Sequence, residues 1–272
     1  MMISRTRRNT RNKLYALIEV SLLETLFFLV AWYLIVVLPS NTAGWITKSF
    51  MICLALIAMI AHKKISEYGL NLNNLMFSLK WSLYIFLFFL GCGLVLLELF
   101  SLIGFAKIVS DIDIMKISVD FVWYLVMVGF AEELFFRGYV QSRLNEVFTK
   151  KYEKILGCKF EWHQGTLIAG VFFFGIPHIF VSINPFTGDL TIEAFYVIIA
   201  IFASFLGVIW GVVREKTGNI ITCTIFHMTV DFFALSFFCY LTSSMMVSNM
   251  IVFITLGIFF GTLFEKFLSS EK

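Results

Sequence analysis

The sequence predicts an all-α polytopic membrane protein, a bundle of about eight transmembrane helices around a polar intramembrane cavity. Composition is the first reason: of 272 residues, 60% are hydrophobic, 18% are aromatic and only 14% are charged. A soluble domain averages roughly 45 to 50% apolar and about 25% charged residues. The second reason is a series of long apolar runs with only 3 Pro in the chain, suited to helices crossing a hydrocarbon core that needs roughly 20 residues each. The third is an uneven distribution of Lys and Arg between alternate loops. A membrane β-barrel would show alternating segments of about 10 residues, and none stand out.

Breaks at charged and Gly, Pro or Asn-rich stretches place the spans near 17 to 39, 45 to 62, 81 to 105, 119 to 138, 166 to 183, 193 to 213, 219 to 241 and 245 to 265. Residues 1–16 form a basic N-terminal segment ahead of a single transmembrane domain over 17–265. The first apolar run, Leu17 to Pro39, is too long for a signal-peptide core and lacks a small-residue cleavage site, so it is expected to be a retained helix. Cys53, Cys92, Cys158, Cys223 and Cys239 are odd in number and far apart. They suit small apolar packing residues better than a disulfide framework or a zinc knuckle.

With the N-terminus in the cytoplasm, 17 Lys and Arg residues fall on that side. Only Lys48, Lys107 and Lys116 fall opposite, Arg137 being set aside inside a span. The positive-inside rule then places both termini in the cytoplasm, with the cell membrane as the expected location. The longest loop, about Gly138 to Gly165, carries much of this charge, including Arg143, Lys150, Lys151 and Lys154. Two readings stay open for it: a solvated anchor beside anionic membrane lipid, or a contribution to substrate approach. The net charge of +3 is small and spread among loops and tails, which excludes nucleic acid as a partner.

Ionisable residues inside spans are costly and mark functional candidates. The fourth span carries Glu132, Glu133 and Arg137, the fifth His178 after Pro177, and the seventh His227 and Asp231. At about 1.5 Å of rise per residue, these groups fall at similar depths on three helices, which argues for one site. Glu133 and Arg137, four apart, share a face and can pair; Glu132 is turned about 100° away and needs another partner. His227 and Asp231 are also four apart. Glu19, Glu24 and Glu98 lack partners of this kind and read as interfacial or packing residues.

The chemistry left to these groups is restricted. No Gly-x-Ser-x-Gly elbow and no His-Glu-x-x-His helix is present. A carboxylate and a His can hold and deprotonate water, and a second His can stabilise an oxyanion. No cofactor is read from the sequence. His178, His227, Glu132 and Asp231 offer nitrogen and oxygen atoms that would also suit zinc, so a metal requirement stays open.

The strings Glu132-Glu133-x-x-x-Arg137, Phe174-x-x-x-His178 and His227-x-x-x-Asp231, in this order on three spans, resemble the motifs of the CPBP family of CAAX prenyl proteases and bacteriocin-processing enzymes, also called Abi. Glu67-Tyr68-Gly69-Leu70 and Lys216-Thr217-Gly218-Asn219-Ile220 are similar to that family as well. The resemblance implies a catalytic core over about 119–241 and an intramembrane endopeptidase acting on a membrane-associated peptide or lipidated protein, including prenylated and bacteriocin- or pheromone-like ones. It implies Glu132 as general base with His178, an oxyanion site at His227 and position 231, and Glu133 with Arg137 as a brace. The family's third motif commonly ends in Asn, where this chain has Asp231. An ionised Asp cannot donate to an oxyanion, so Asp231 is either protonated or orients His227. The competing readings are a non-catalytic immunity or scaffold protein and a proton-coupled transporter. Inverted repeats, which would favour the transporter, are not visible.

Overall fold

The computed structural model describes residues 2–272, with side chains from Thr10 onward. The basic side chains of Arg5, Arg7 and Arg8 lie outside the described residues. Among the described residues, eight helices are long and apolar enough to cross a membrane: α1 (Met2–Val37, apolar from Thr10), α2 (Ser40–Ala61), α3 (Leu75–Leu102), α4 (Ile114–Asn145), α5 (Gln164–Ser182), α6 (Ala194–Thr217), α7 (Ile221–Thr242) and α8 (Met245–Thr262). A short helix, α9 (Phe264–Ser269), follows. The protein is therefore an all-α polytopic integral membrane protein, in agreement with the eight apolar runs.

The ends of these helices have local causes. Pro39 precedes α2, which begins at Ser40 rather than near 45; a fixed φ and a missing N–H suit that place. Lys48, three residues into the expected span, thereby lies two turns inside the helix. Asp113 caps α4 by accepting from the Lys116 backbone N–H at 3.0 Å. Gly218, at φ +80°, stops α6 in the left-handed conformation that glycine tolerates.

The loop expected over 138–165 is shorter and partly ordered. Helix α4 runs on to Asn145, and an antiparallel hairpin follows, β1 (Lys151–Ile155) and β2 (Cys158–His163). Trp162 stacks on Tyr152 at 4.8 Å, and its indole N–H donates to the Lys154 carbonyl. Arg143 is no exposed loop residue. It is largely buried and bonds Glu19 at 2.9 Å and Glu146 at 3.3 Å.

The chain clusters into two compact units. The first contains α1, α2, the second half of α4 from Ala131, most of the hairpin, α5 and α6. Helices α5 and α6 pack through small residues: a Cβ on Gly170 would lie 2.6 Å from the Val208 nitrogen, and one on Gly207 would lie 2.6 Å from the Gly170 carbonyl oxygen. Backbones approach this closely only where side chains are absent. The approach leaves carbonyls within reach of α4, whose Arg137 Nη2 donates to Gly207 at 3.1 Å and Gln141 Nε2 to Gly211 at 3.0 Å. Two polar residues four apart thus read two glycine carbonyls four apart.

The second unit contains α3, the first half of α4, α7, α8 and α9. Aromatic packing dominates it. Phe226 of α7 meets Phe89 of α3 at 6.0 Å and Phe259 of α8 at 5.0 Å, and the Phe238 ring lies over Gly93, where a Cβ would sit 2.2 Å away. Asp120 accepts from Ser236 at 2.9 Å and from Tyr240 at 2.7 Å, which satisfies a carboxylate inside a span. All five cysteines are free; Cys158 and Cys223 are buried as expected of packing residues, whereas Cys53 is exposed.

Candidate active site

Wide π-type turns accompany each of the three motifs. They span Trp123–Phe130 and Leu134–Gln141 on either side of Ala131–Glu133, Ala169–Gly175 ahead of His178, and Phe233–Phe237 after Asp231. Each inserted residue shifts the helical phase and frees backbone carbonyls. The Ser248 hydroxyl donates to the Phe233 and Ala234 carbonyls at 3.0 and 2.6 Å, and Ser142 donates to that of Arg137 at 3.3 Å. Sequence periodicity at 3.6 residues per turn does not reveal these insertions.

In the first unit, Glu133 and Arg137 form an ion pair at 2.9 Å with side-chain exposures of 0% and 2%. The guanidinium is stacked 4.1 Å from the Phe174 ring centre and 5.4 Å from that of Trp210. Charge, aromatic faces and the Gly207 carbonyl together offset the loss of water that burial imposes on both ions.

Glu132 faces a different neighbour. Its Oε1 accepts from Lys48 Nζ of α2, with side-chain exposures of 14% for the glutamate and 20% for the lysine. Lys48 and Glu132 each stand thirteen residues from the Ala61 and Asn145 ends of their helices, about 20 Å at ordinary helical rise. Sequence reasoning missed Lys48. A signal was available in its position three residues past the start of the apolar run at Trp45, had the helix been extended back to Pro39.

His178 lies half-buried in the tight 3₁₀ segment Ile176–Ser182. Backbone bonding there reaches three residues back rather than four, which leaves the Phe174 carbonyl for the imidazole: Nδ1 lies 2.7 Å from it. A carbonyl only accepts, so Nδ1 carries the hydrogen, and in the neutral ring Nε2 keeps its lone pair. The Phe174-x-x-x-His178 spacing therefore fixes the tautomer.

In the second unit, His227 is buried and Asp231 partly exposed, with Nε2 to Oδ2 at 3.4 Å. The structure thus pairs Glu133 with Arg137 and Glu132 with Lys48 in one unit, and His227 with Asp231 in the other. Within neither unit, among the described residues, do three His, Cys, Asp or Glu side chains gather as metal ligands.

Residues 115–233 match the family model described as type II CAAX prenyl endopeptidase Rce1-like. The chain carries an Rce1-like core. That core begins at the start of α4 and ends just past Asp231, so Glu132, Glu133, Arg137, His178, His227 and Asp231 fall inside it and Lys48 does not. It agrees with the CPBP resemblance of the three motifs, and the family is one of proteases. Comparison with curated proteins and with solved structures finds no match.

Parts of the first unit outside the Rce1-like segment brace it. Glu19 of α1, read from sequence as a packing residue, accepts from Tyr139 at 2.7 Å, from Arg143 at 2.9 Å and from His62. Tyr68 is 2% exposed, donates to Glu146 at 2.8 Å, and is pushed well up in pKa by burial and then by that bond, which keeps it a neutral donor. Gly69, at φ +99°, accepts from the Ile220 N–H at 3.2 Å, and Asn219 donates to the Asn73 carbonyl at 2.6 Å. The two flanking family-like strings are therefore hydrogen-bonded to one another. A polar cavity of about 360 Å³ opens beside them, where Lys64 pairs with Glu146 at 2.9 Å and His163 with Glu215 at 2.8 Å.

Proposed function

We propose that the protein is an intramembrane endopeptidase of CAAX-protease type that hydrolyses a peptide bond in a membrane-associated or lipidated peptide with water activated by Glu132 and His178. The observation that carries this reading is the division between two adjacent carboxylates. Glu133 is sealed against Arg137 with no exposure, whereas Glu132 points elsewhere and keeps 14% of its side-chain surface. A general base needs access to water; a brace does not.

In the proposed reaction, Glu132 takes a proton from water as the water oxygen bonds to the scissile carbonyl carbon, and the carbonyl electron pair moves onto its oxygen. The lone pair on His178 Nε2 accepts a hydrogen bond from the same water. The family resemblance assigns the oxyanion donor to His227, whose imidazole Asp231 orients within the second unit through the 3.4 Å contact. Collapse of the intermediate expels the amine with the proton held by Glu132. Both termini lie in the cytoplasm in this reading, and the protein resides in the cell membrane.

The test compares membrane peptides from cells making wild type and Glu132→Gln. A C-terminal fragment released only by the wild type is the expected result, with turnover of the purified variant down at least about 10²-fold and its thermal stability little changed. Full proteolysis by Glu132→Gln sinks the glutamate mechanism. Loss of wild-type activity on chelation, restored by zinc, would assign the same residues to a metal.

A further inference from the structure

We propose that Lys48 is a positioning residue of the same site, a counter-charge supplied by α2 that holds the Glu132 carboxylate ionised and aimed for its work as base. The inference rests on the glutamate reading above and adds to it a residue that lies outside the Rce1-like segment 115–233.

Three observations carry it. A lysine inside a membrane helix is costly unless it is paired or reaches water, and the Lys48 side chain is only 20% exposed. Its ammonium bonds Glu132, 84 residues away in sequence, rather than a neighbour on its own helix. No other Asp, Glu, Lys or Arg occurs in α2, so the charge has no local role as one of a stripe. The adjacent carboxylate, Glu133, already has its own cation in Arg137 at 2.9 Å. Two neighbouring glutamates thus hold two cations from different helices. One pair is closed by aromatic rings. The other keeps both partners partly accessible.

The arrangement has a chemical logic. An isolated carboxylate in a low-dielectric interior loses its charge more readily than it keeps it, and a protonated Glu132 cannot accept the proton of water. A single ammonium on a flexible four-carbon stem supplies the balancing charge as a point charge, without the two-pronged grip of a guanidinium. The contact is made through Oε1. The lysine touches neither water nor scissile bond in this scheme and acts through the carboxylate alone.

The test uses the full-length protein in detergent or vesicles, with a cleavable membrane peptide on which the wild type has measurable turnover. Lys48→Met keeps the stem and removes the charge; it is expected to lower kcat at least tenfold with KM within about twofold. Lys48→Arg restores the charge and is expected to stay within about fivefold of wild type. A kcat for Lys48→Met equal to or above that of wild type, with Glu132→Gln inactive, overturns the Lys48 role and leaves the glutamate reading standing. An active Glu132→Gln removes both. Where Lys48→Met does not fold, Lys48→Gln carries the same expectation. Failure of both to fold while Lys48→Arg folds makes the pair a structural clamp and overturns the proposal.

Discussion

Glu133 and Arg137 have given up nearly all contact with water, and what replaces it is specific: an opposite charge at 2.9 Å, a carbonyl at 3.1 Å and two aromatic faces. Removing the guanidinium leaves a carboxylate buried with its counter-ion gone. Arg137→Ala is therefore expected to cost about 3 to 5 kcal/mol, read as a large drop in folded yield and melting temperature in detergent. Lys159→Ala, at an exposed hairpin position, is the matching control and should change neither. Position 231 is decided by charge. If Asp231 orients His227, as the 3.4 Å contact suggests, Asp231→Asn lowers kcat by about tenfold or more with stability intact. Activity at or above wild type would instead mean that this position donates to the oxyanion, since Asn can donate where ionised Asp cannot.

Between residues and the whole, helix crossings set what the side chains can reach. The α5–α6 contact is built from glycines, and only this close approach lets Arg137 and Gln141 of α4 find the Gly207 and Gly211 carbonyls. A leucine at Gly170 would collide with the backbone of Val208, 2.6 Å from the first added carbon, whereas a Cβ on Gly91 of α3 meets nothing within 4 Å. Gly170→Leu is expected to destabilise by at least about 1 to 3 kcal/mol, and Gly91→Leu to be near neutral. Equal melting temperatures for the two variants would show that the crossing is looser than described. The π-type turns belong to this scale too. By changing the helical phase beside every motif, they alter which face each functional side chain occupies.

For the molecule as a whole, the charge distribution predicts which side of the membrane each loop occupies. With Lys48 two turns inside α2, the basic residues left in loops on the expected outer side are Lys107 and Lys116, which sharpens the asymmetry. A cysteine placed at position 151, in β1, should stay unlabelled by an impermeant thiol reagent applied to intact cells and become labelled when the membrane is opened. Labelling of intact cells above that of the parent, whose Cys53 is exposed, would invert the orientation proposed for both termini.

Much of this architecture was legible in the chain because hydrocarbon imposes a simple rule: each crossing needs a long apolar helix, so eight apolar runs announced eight helices. The Glu133–Arg137 pair was legible for a similar reason, since residues four apart on a helix must be neighbours. The three motifs pointed to the family by their order, and the match over 115–233 agrees. What the sequence could not determine were partners distant along the chain. Lys48 on Glu132, and His62, Tyr139 and Arg143 on Glu19, meet only because α1, α2 and α4 pack together. Nor do apolar runs register an inserted residue, because hydropathy averaged over a whole span does not sense a one-residue change of helical phase. Hydropathy reports that a segment is buried in lipid. Which way its polar groups face, and what meets them, is decided by helix phase and by the small residues that let backbones approach.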